Sequence, residues 1–340
     1  MKYAKIGGQA VMEGVMMKHG TDYAVAVRKP NHEIEVKKDV YEGAVAKLHW
    51  QKVPILRGVA AFIDSLYLGM STLTWSASFV EDEEDQKAKS SDKKSQTDVK
   101  SNPGKTADID KAAEKKTEQK SGVGEKLMMA GTVLFSIALA LVLFMALPFL
   151  AANLLSKVGI SNLGISIVEG IIRIIIFLLY IILISRMKDI QRVFMYHGAE
   201  HKTITCIEQG MELTPQNAAK CSRLHKRCGT SFLLIVVILS VIVHILFFAI
   251  VPVQGTVLKL VIRLLLVPVV AGVSYEFLQW TGRHDTKFIN ALSKPGLWLQ
   301  KLTTRDPDEE MLEVAIASIE AIYDWRAFQE ELKQDGAADR

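Results

Sequence analysis

Four stretches of almost unbroken apolar residues restrict the fold of this chain more than anything else in it: Leu127 to Leu150, Ile165 to Ser185, Ser231 to Val253 and Thr256 to Tyr275. At about 1.5 Å of rise per residue, each is long enough to cross roughly 30 Å of hydrocarbon. A core helix of a water-soluble protein is rarely so long and so evenly apolar, because one face normally meets water. The four blocks therefore predict four transmembrane helices. No secretory leader is expected ahead of them, since the first twenty residues include Glu13 and several glycines and lack a continuous apolar run.

Loop charge orients the spans, because short loops rich in Lys and Arg stay in the cytoplasm. The loop between the second and third spans carries Arg186, Lys188, Arg192, Lys202, Lys220, Arg223, Lys226 and Arg227, whereas the other two loops share only Lys157. The basic loop is expected in the cytoplasm, and four spans return both termini to that side. The formal net charge of +4 then reflects topology, and no nucleic-acid partner is expected. All three cysteines, Cys206, Cys221 and Cys228, lie in the basic loop. An odd number of thiols in a reducing compartment argues against a disulfide framework.

These features give a mainly α membrane protein with a small N-terminal α+β cytoplasmic domain and a helical cytoplasmic loop and tail. The expected divisions are 1–80 for the N-terminal domain, 81–125 for a linker, 126–186 for the first two spans, 187–230 for the loop, 231–280 for the last two spans and 281–340 for the tail. In the N-terminal domain, Tyr23 to Arg28 and Glu33 to Lys38 read as strands joined by the turn signal Lys29-Pro30-Asn31-His32. After Pro54 the apolar residues Leu56, Val59, Ala60, Ile63, Leu66, Tyr67, Met70 and Leu73 recur at helical spacing. They predict a long amphipathic helix, either packed on its own domain or lying on the membrane surface. Glu81 to Glu125 is nearly all Lys, Glu, Asp, Ser, Gln, Thr and Ala; it buries too little apolar surface to offset chain entropy and is expected to be disordered. A helix is expected from about Lys188 to Gln209, stopped by Gly210, with a new start at Thr214-Pro215. A last helix should run from Asp306-Pro307-Asp308-Glu309 to about Lys333.

Chemistry concentrates in His197-Gly198-Ala199-Glu200-His201, an H-x-x-E-H pattern of the inverted zinc-hydrolase type. Positions four apart on a helix lie one turn apart on one face. Two imidazoles so placed can grip one divalent metal, with zinc the expected ion, and the intervening carboxylate can orient or deprotonate a water. The competing reading is a solvated helix with two surface histidines. Downstream, Cys221, His225 and Cys228 add soft and borderline ligands to the same loop. His225 or Cys228 is expected to complete the site; Glu208, two turns from His201, is too far away on a straight helix. A second cluster lies within the apolar blocks. Arg173, His244 and Arg263 share a depth about 11 to 14 Å below the outer boundary, and Glu169 can pair with Arg173 one turn away. It reads as a substrate or ion site or as structural glue between helices.

The run Gly7-Gly8-Gln9-Ala10-Val11-Met12-Glu13-Gly14-Val15-Met16-Met17 and the run Tyr196-His197-Gly198-Ala199-Glu200-His201-Lys202-Thr203 resemble the bacterial YqhQ-like proteins. So do Arg227-Cys228-Gly229-Thr230-Ser231-Phe232-Leu233, Pro295-Gly296-Leu297 and Leu302-Thr303-Thr304. The resemblance spans nearly the whole chain outside the linker. It implies a protein of the bacterial inner or plasma membrane, of a family labelled a predicted metal-dependent enzyme, and it implies no substrate.

The expected function is a membrane-bound metal-dependent hydrolase, a peptidase among the candidates. Glu200 is the expected general base, and His197, His201, His225 and Cys228 are the candidate metal ligands. Its partner is the lipid bilayer. The alternative is a non-enzymatic membrane factor that binds other membrane or cytoplasmic proteins, any metal being structural; a third reading is a small transporter.

Overall fold

The computed structural model describes residues 3–43, 52–94, 123–155, 159–225, 228–283 and 286–338. It opens with an antiparallel meander of β1 (Ile6–Val11), β2 (Gly14–His19), β3 (Asp22–Arg28) and β4 (Ile34–Val40), paired in chain order. The β3–β4 hairpin is the one its turn residues predict, with Val27 opposite Glu35. The preceding β1–β2 hairpin is concealed in the sequence because β2 is covered on both faces and β1 carries the exposed Gly7 and Gly8 in place of an apolar–polar alternation. Val15, Met17 and Ala26 face one core and Met16, Val25 and Val27 another. Strands buried on both sides lack the apolar–polar alternation that marks a half-buried sheet. Only β4 alternates poorly for the opposite reason: it is a largely exposed edge, and its Lys37, Lys38 and Asp39 discourage further strand pairing.

Helix α1 (Leu56–Lys94) covers the second face through Leu68, Leu73 and Trp75. The expected apolar stripe is only partly the buried one: Ile63, Leu66, Tyr67 and Met70 are exposed, while Ala60, Thr72 and Ser76 are buried. Small residues make the contacts because the helix lies close to its neighbours. A Cβ on Gly58 would come within 2.9 Å of the Gly272 backbone, and one on Gly69 within 2.8 Å of the Gln9 side chain. The charged stretch after Glu81 continues α1 as far as Lys94, while 95–122 lies outside the described residues.

Four segments are long and apolar enough to cross a membrane: Gly131–Asn153, Leu163–Ile184, Leu233–Ile250 and Thr256–Thr281. The first is built from α2 (Val123–Leu141), a wider π turn (Val142–Ala146) and α3 (Leu147–Asn153). The others are α4 (Asn162–Ile184), α7 (Gly229–Ile250) and α8 (Thr256–Arg283). Their outward side chains are apolar and uncovered, Ile250 being 78% exposed.

Between α4 and α7 lie α5 (Lys188–Glu208) and α6 (Pro215–Lys220); after α8 come α9 (Lys287–Thr303), α10 (Glu309–Glu320) and α11 (Trp325–Ala338). Gly210 follows α5 at φ +72°, the left-handed stop that its position suggests. Thr214 caps α6 by accepting from Asn217 N, and Asp308 caps α10 by accepting from Met311 N at 2.8 Å. The single tail helix expected to reach about Lys333 is two helices. Asp324 Oδ1 accepts from the backbone N–H groups of Arg326 and Ala327 and so begins a new one.

The polar segments expected as separate pieces share one core. Ala4, Ile6, Val15 and Met17 of the sheet region pack with Tyr196, Ile204 and Ile207 of α5 and with Met311, Leu312 and Ile319 of α10. Helix α5 runs through the middle, buried at almost every position from Tyr196 to Glu208. Helix α9 ties this unit to the bundle, where Leu299 and Leu302 meet Phe177 and Ile181 of α4 and Leu234 of α7.

Candidate metal centre

A polar helix segment buried all round needs partners for every polar group, and those partners define the site. His197 and His201 sit one turn apart with ring centroids 4.5 Å apart. They are buried, at 8% and 1% exposure, so the surface-histidine reading does not hold. His197 Nδ1 donates to the Thr303 carbonyl oxygen at 2.8 Å, and His201 Nδ1 donates to that of Arg223 at 2.5 Å. A carbonyl accepts only, so each neutral ring keeps its proton on Nδ1 and turns the Nε2 lone pair inward.

The inward nitrogens meet Cys228 at the start of α7. His197 Nε2 is 3.2 Å from Cys228 Sγ, and one ligand atom from each of His197, His201 and Cys228 lies within 4.8 Å of the others. His201 Nε2 is fully buried without a hydrogen-bond partner. An orphaned lone pair beside a second imidazole and a thiol, each imidazole steered by a backbone carbonyl, is what a divalent metal site offers. The His-His-Cys group can hold a metal.

Glu200 stands over the same space, with Oε2 3.8 Å from Nε2 of both histidines. Burial pushes its carboxyl above the ordinary carboxylate range, opposed by the neighbouring His197 and His225 and by the Gly8 backbone hydrogen bond. Burial likewise pushes His201 down, keeping it neutral and its lone pair available. A Cβ on Gly8 would lie 2.6 Å from Glu200 Cγ, so the glycine of β1 makes room for the carboxylate it binds. A Cβ on Gly198 would strike the Arg305 carbonyl oxygen. Bare backbone at Gly198 lets residues 303–305 lie against α5, where Arg305 N donates to the Phe194 carbonyl and Thr303 reaches His197.

The structure separates the candidates. His197, His201 and Cys228 come together, with Glu200 beside them. His225 lies next to the group, its ring 5.8 Å from that of His201, but its Nε2 faces Glu208 Oε2 at 3.2 Å. Glu208 also accepts from Ala4 N, which gives it a role two turns away from the metal ligands. Cys221 lies apart, hydrogen-bonded toward Asn217 O and Gln209. Several residues that hold the site together escaped the sequence reading. Gln300 clamps His225 through both its backbone groups, accepting from N and donating to O. Lys202 Nζ donates to the carbonyls of Ala219 and Cys221 and pairs with Asp306. The only signal for them was their place in or beside the Tyr196–Thr203 and Leu302–Thr304 runs, since a buried lysine or glutamine has no spacing pattern of its own.

The family described as "Protein of unknown function (DUF1385)" matches residues 53–325. The "Uncharacterized protein YqhQ" of Bacillus subtilis (strain 168) is 34% identical over 326 residues, covering 96% of this chain and 94% of that protein. No solved structure matches.

Proposed function

The chain belongs to the DUF1385 family, whose description carries no activity, and we propose from the site itself that it is a membrane-bound metal-dependent hydrolase, with peptidases among the candidate classes. The observation that carries this reading is the convergence of His197 Nε2, His201 Nε2 and Cys228 Sγ with the Glu200 carboxylate 3.8 Å from both nitrogens. A zinc-like divalent ion held by the three ligands would supply Lewis acidity. Thr303 and Arg223 orient the imidazoles through their carbonyls. Glu200, held by Gly8, takes the proton of the attacking water and passes it to the leaving group, and its burial brings its proton affinity toward that task.

The polar unit lies on the cytoplasmic side of a bacterial plasma or inner membrane, with both termini there, because the basic residues cluster between the second and third spans. The exposed Phe62, Ile63, Leu66, Tyr67 and Met70 of α1, on a helix packed against α8, rest on the bilayer surface.

A second reading is favoured by the burial of all four side chains and by their origin in α5 and the start of α7. The metal is then a structural clasp in a non-enzymatic factor that binds other proteins. One variant separates the two. Metal content and hydrolysis of a peptide and ester panel are measured for the purified full chain. His197→Ala and His201→Ala should lose metal and turnover, whereas Glu200→Gln should keep metal and lose turnover. A Glu200→Gln protein that keeps full function in cells, while the histidine variants lose it, would leave the clasp and sink the hydrolase.

A further inference from the structure

Helix α9 packs on the end of the bundle nearest the metal centre. Its Leu299 and Leu302 meet Phe177 and Ile181 in the last two turns of α4 and Leu234 near the start of α7. It begins at Lys287, just after α8 ends at Arg283, and closes at Thr303, whose carbonyl holds His197. Both ends of α9 therefore lie at the boundary between the apolar spans and the polar unit.

The buried side of α9 carries Ile289, Gly296, Leu299, Gln300 and Thr303. A helix packed on one side and wetted on the other turns polar groups outward. In α9 much of the outward side is apolar. Phe288, Leu292 and Trp298 are 68%, 38% and 51% exposed, and Ala291 and Pro295 between them are exposed as well. Spacings of three and four residues put these side chains on one strip. Lys287, Lys294 and Lys301 recur every seven residues, which is close to two turns, so they form a line along the helix. At about 100° per residue that line borders the apolar strip on the edge away from the buried side, and Asn290 and Ser293 follow beyond it. All three lysines are exposed. The helix contains no acidic residue, and among the described residues no acid pairs with any of the three.

Around α9 the order is thus buried contacts, apolar strip, lysine line and polar edge. Bulk water leaves such a strip uncovered. At the edge of hydrocarbon the strip meets acyl chains, while the lysine stems lie over apolar surface and their ammonium groups reach the phosphates. Trp298 suits the same level, where an indole has one side apolar and the other wet. A second copy of α9 laid on the strip would bring more lysines and no acid. An anionic lipid surface supplies both the apolar cover and the missing negative charge.

We propose that α9 is a docking surface for anionic phospholipid, with its apolar strip among the acyl chains and Lys287, Lys294 and Lys301 on the phosphates. The inference rests on the four spans crossing a bilayer and is independent of the metal centre.

The test uses the purified full chain in phosphatidylcholine nanodiscs that carry a bromine-labelled lipid, either phosphatidylglycerol or phosphatidylcholine. Comparison with Trp298→Phe gives the part of the emission that belongs to Trp298. The phosphatidylglycerol label should quench that part several-fold more than the phosphatidylcholine label, and salt should erode the difference. Lys287→Gln, Lys294→Gln and Lys301→Gln together should bring the two labels level with Tm unchanged, because all three side chains are exposed. Lys287→Arg, Lys294→Arg and Lys301→Arg together should keep the preference. Should the glutamine variant melt lower than the parent, the loss of the parent's own preference in high salt decides instead. Equal quenching of the parent by both labels, or a preference that survives the glutamine changes, overturns the proposal. Absence of quenching by either label also overturns it, because protein then covers the strip. Failure of the chain to enter nanodiscs would overturn the four spans themselves, which sets that result apart from the others.

Discussion

The protein buries two polar clusters, and they differ in what they leave unanswered. Where the sheet-and-helix unit meets the bundle, His197, His201, Cys228 and Glu200 present lone pairs and a carboxylate, and the orphan is an acceptor, His201 Nε2. Inside the bundle, Arg173 and Arg263 share Glu169 and leave surplus positive charge, and the orphans are the donor Arg173 Nε–H and the acceptor His244 Nε2. Burial is similar in the two, and only the kind of atom turned inward differs. The first cluster therefore suits a cation, while the second leaves one donor and one acceptor beside a surplus positive charge, because an unpaired buried group is stabilised by whatever supplies the missing charge or proton.

The largest effect that can break this comparison is removal of the cation. If His201 Nε2 awaits a metal, chelation of the purified protein should lower its thermal stability, and zinc should restore it. An ion present at about a thousand times its Kd contributes about 4 kcal/mol. His201→Ala should match the chelated protein and ignore added zinc. Identical melting of chelated and zinc-loaded protein would leave the first cluster as an ordinary buried network.

Next in size is a change in the backbone beside the ligands. Gly198→Ala places a methyl on the Arg305 carbonyl, so residues 303–305 must move, and overpacking of this kind costs about 1–3 kcal/mol. Because Thr303 orients His197, metal affinity should fall as well. Gly131→Ala is the control: nothing lies within 4 Å of its Cβ position, and in a helix it should be neutral or slightly stabilising. Equal responses of the two variants in calorimetry and zinc titration would separate the 303–305 segment from the site.

A smaller contrast separates the thiols. Burial beside Cys221 pushes Cys206 up to about 12 from its ordinary 9, so it stays a thiol through neutral and mildly alkaline pH. Its raised value means that the unfolded chain ionises first, and stability is lost as pH rises above about 9. Cys228 faces the histidines instead. Alkylation of Cys228 should be blocked by zinc, while Cys206 should remain unreactive at pH 8 with or without it. Zinc-independent labelling of Cys228 would remove it from the ligand set.

What the sequence disclosed follows the same physical lines. The apolar blocks were legible because length and composition alone decide them, and the β3–β4 hairpin because its turn residues are local. His197, Glu200 and His201 were legible because a helix fixes their spacing. The choice between His225 and Cys228 was not, since it depends on how 221–225 folds back, and that path is set by Gln300 and Lys202 from distant parts of the chain. Arg263 as the second partner of Glu169 is likewise a tertiary fact, 94 residues away. The sequence put Arg173, His244 and Arg263 at one depth, but the anticipated pairing with Arg173 gave only one of the two partners of Glu169.

The smallest expected effect tests whether burial, rather than charge itself, is what matters in both clusters. Arg192 and Glu13 form a bidentate ion pair across 179 residues, linking α5 to the β1–β2 turn, and it looks as strong on paper as the buried pairs. The Arg192 side chain is 53% exposed and that of Glu13 25%, so water competes for both and salt screens them. Hydrogen bonding to Glu13 raises the Arg192 proton affinity, a shift too well solvated to convert into stability. Arg192→Gln and Glu13→Gln, combined in a double-mutant cycle, should give a coupling of about 0.2–1 kcal/mol that fades in high salt. Tyr196 also reaches Glu13, at 3.3 Å, and the cycle cancels that contact because it is present with either residue at 192. A coupling of several kcal/mol that resists salt would mean that this pair behaves as buried, and that exposure does not separate it from the two clusters.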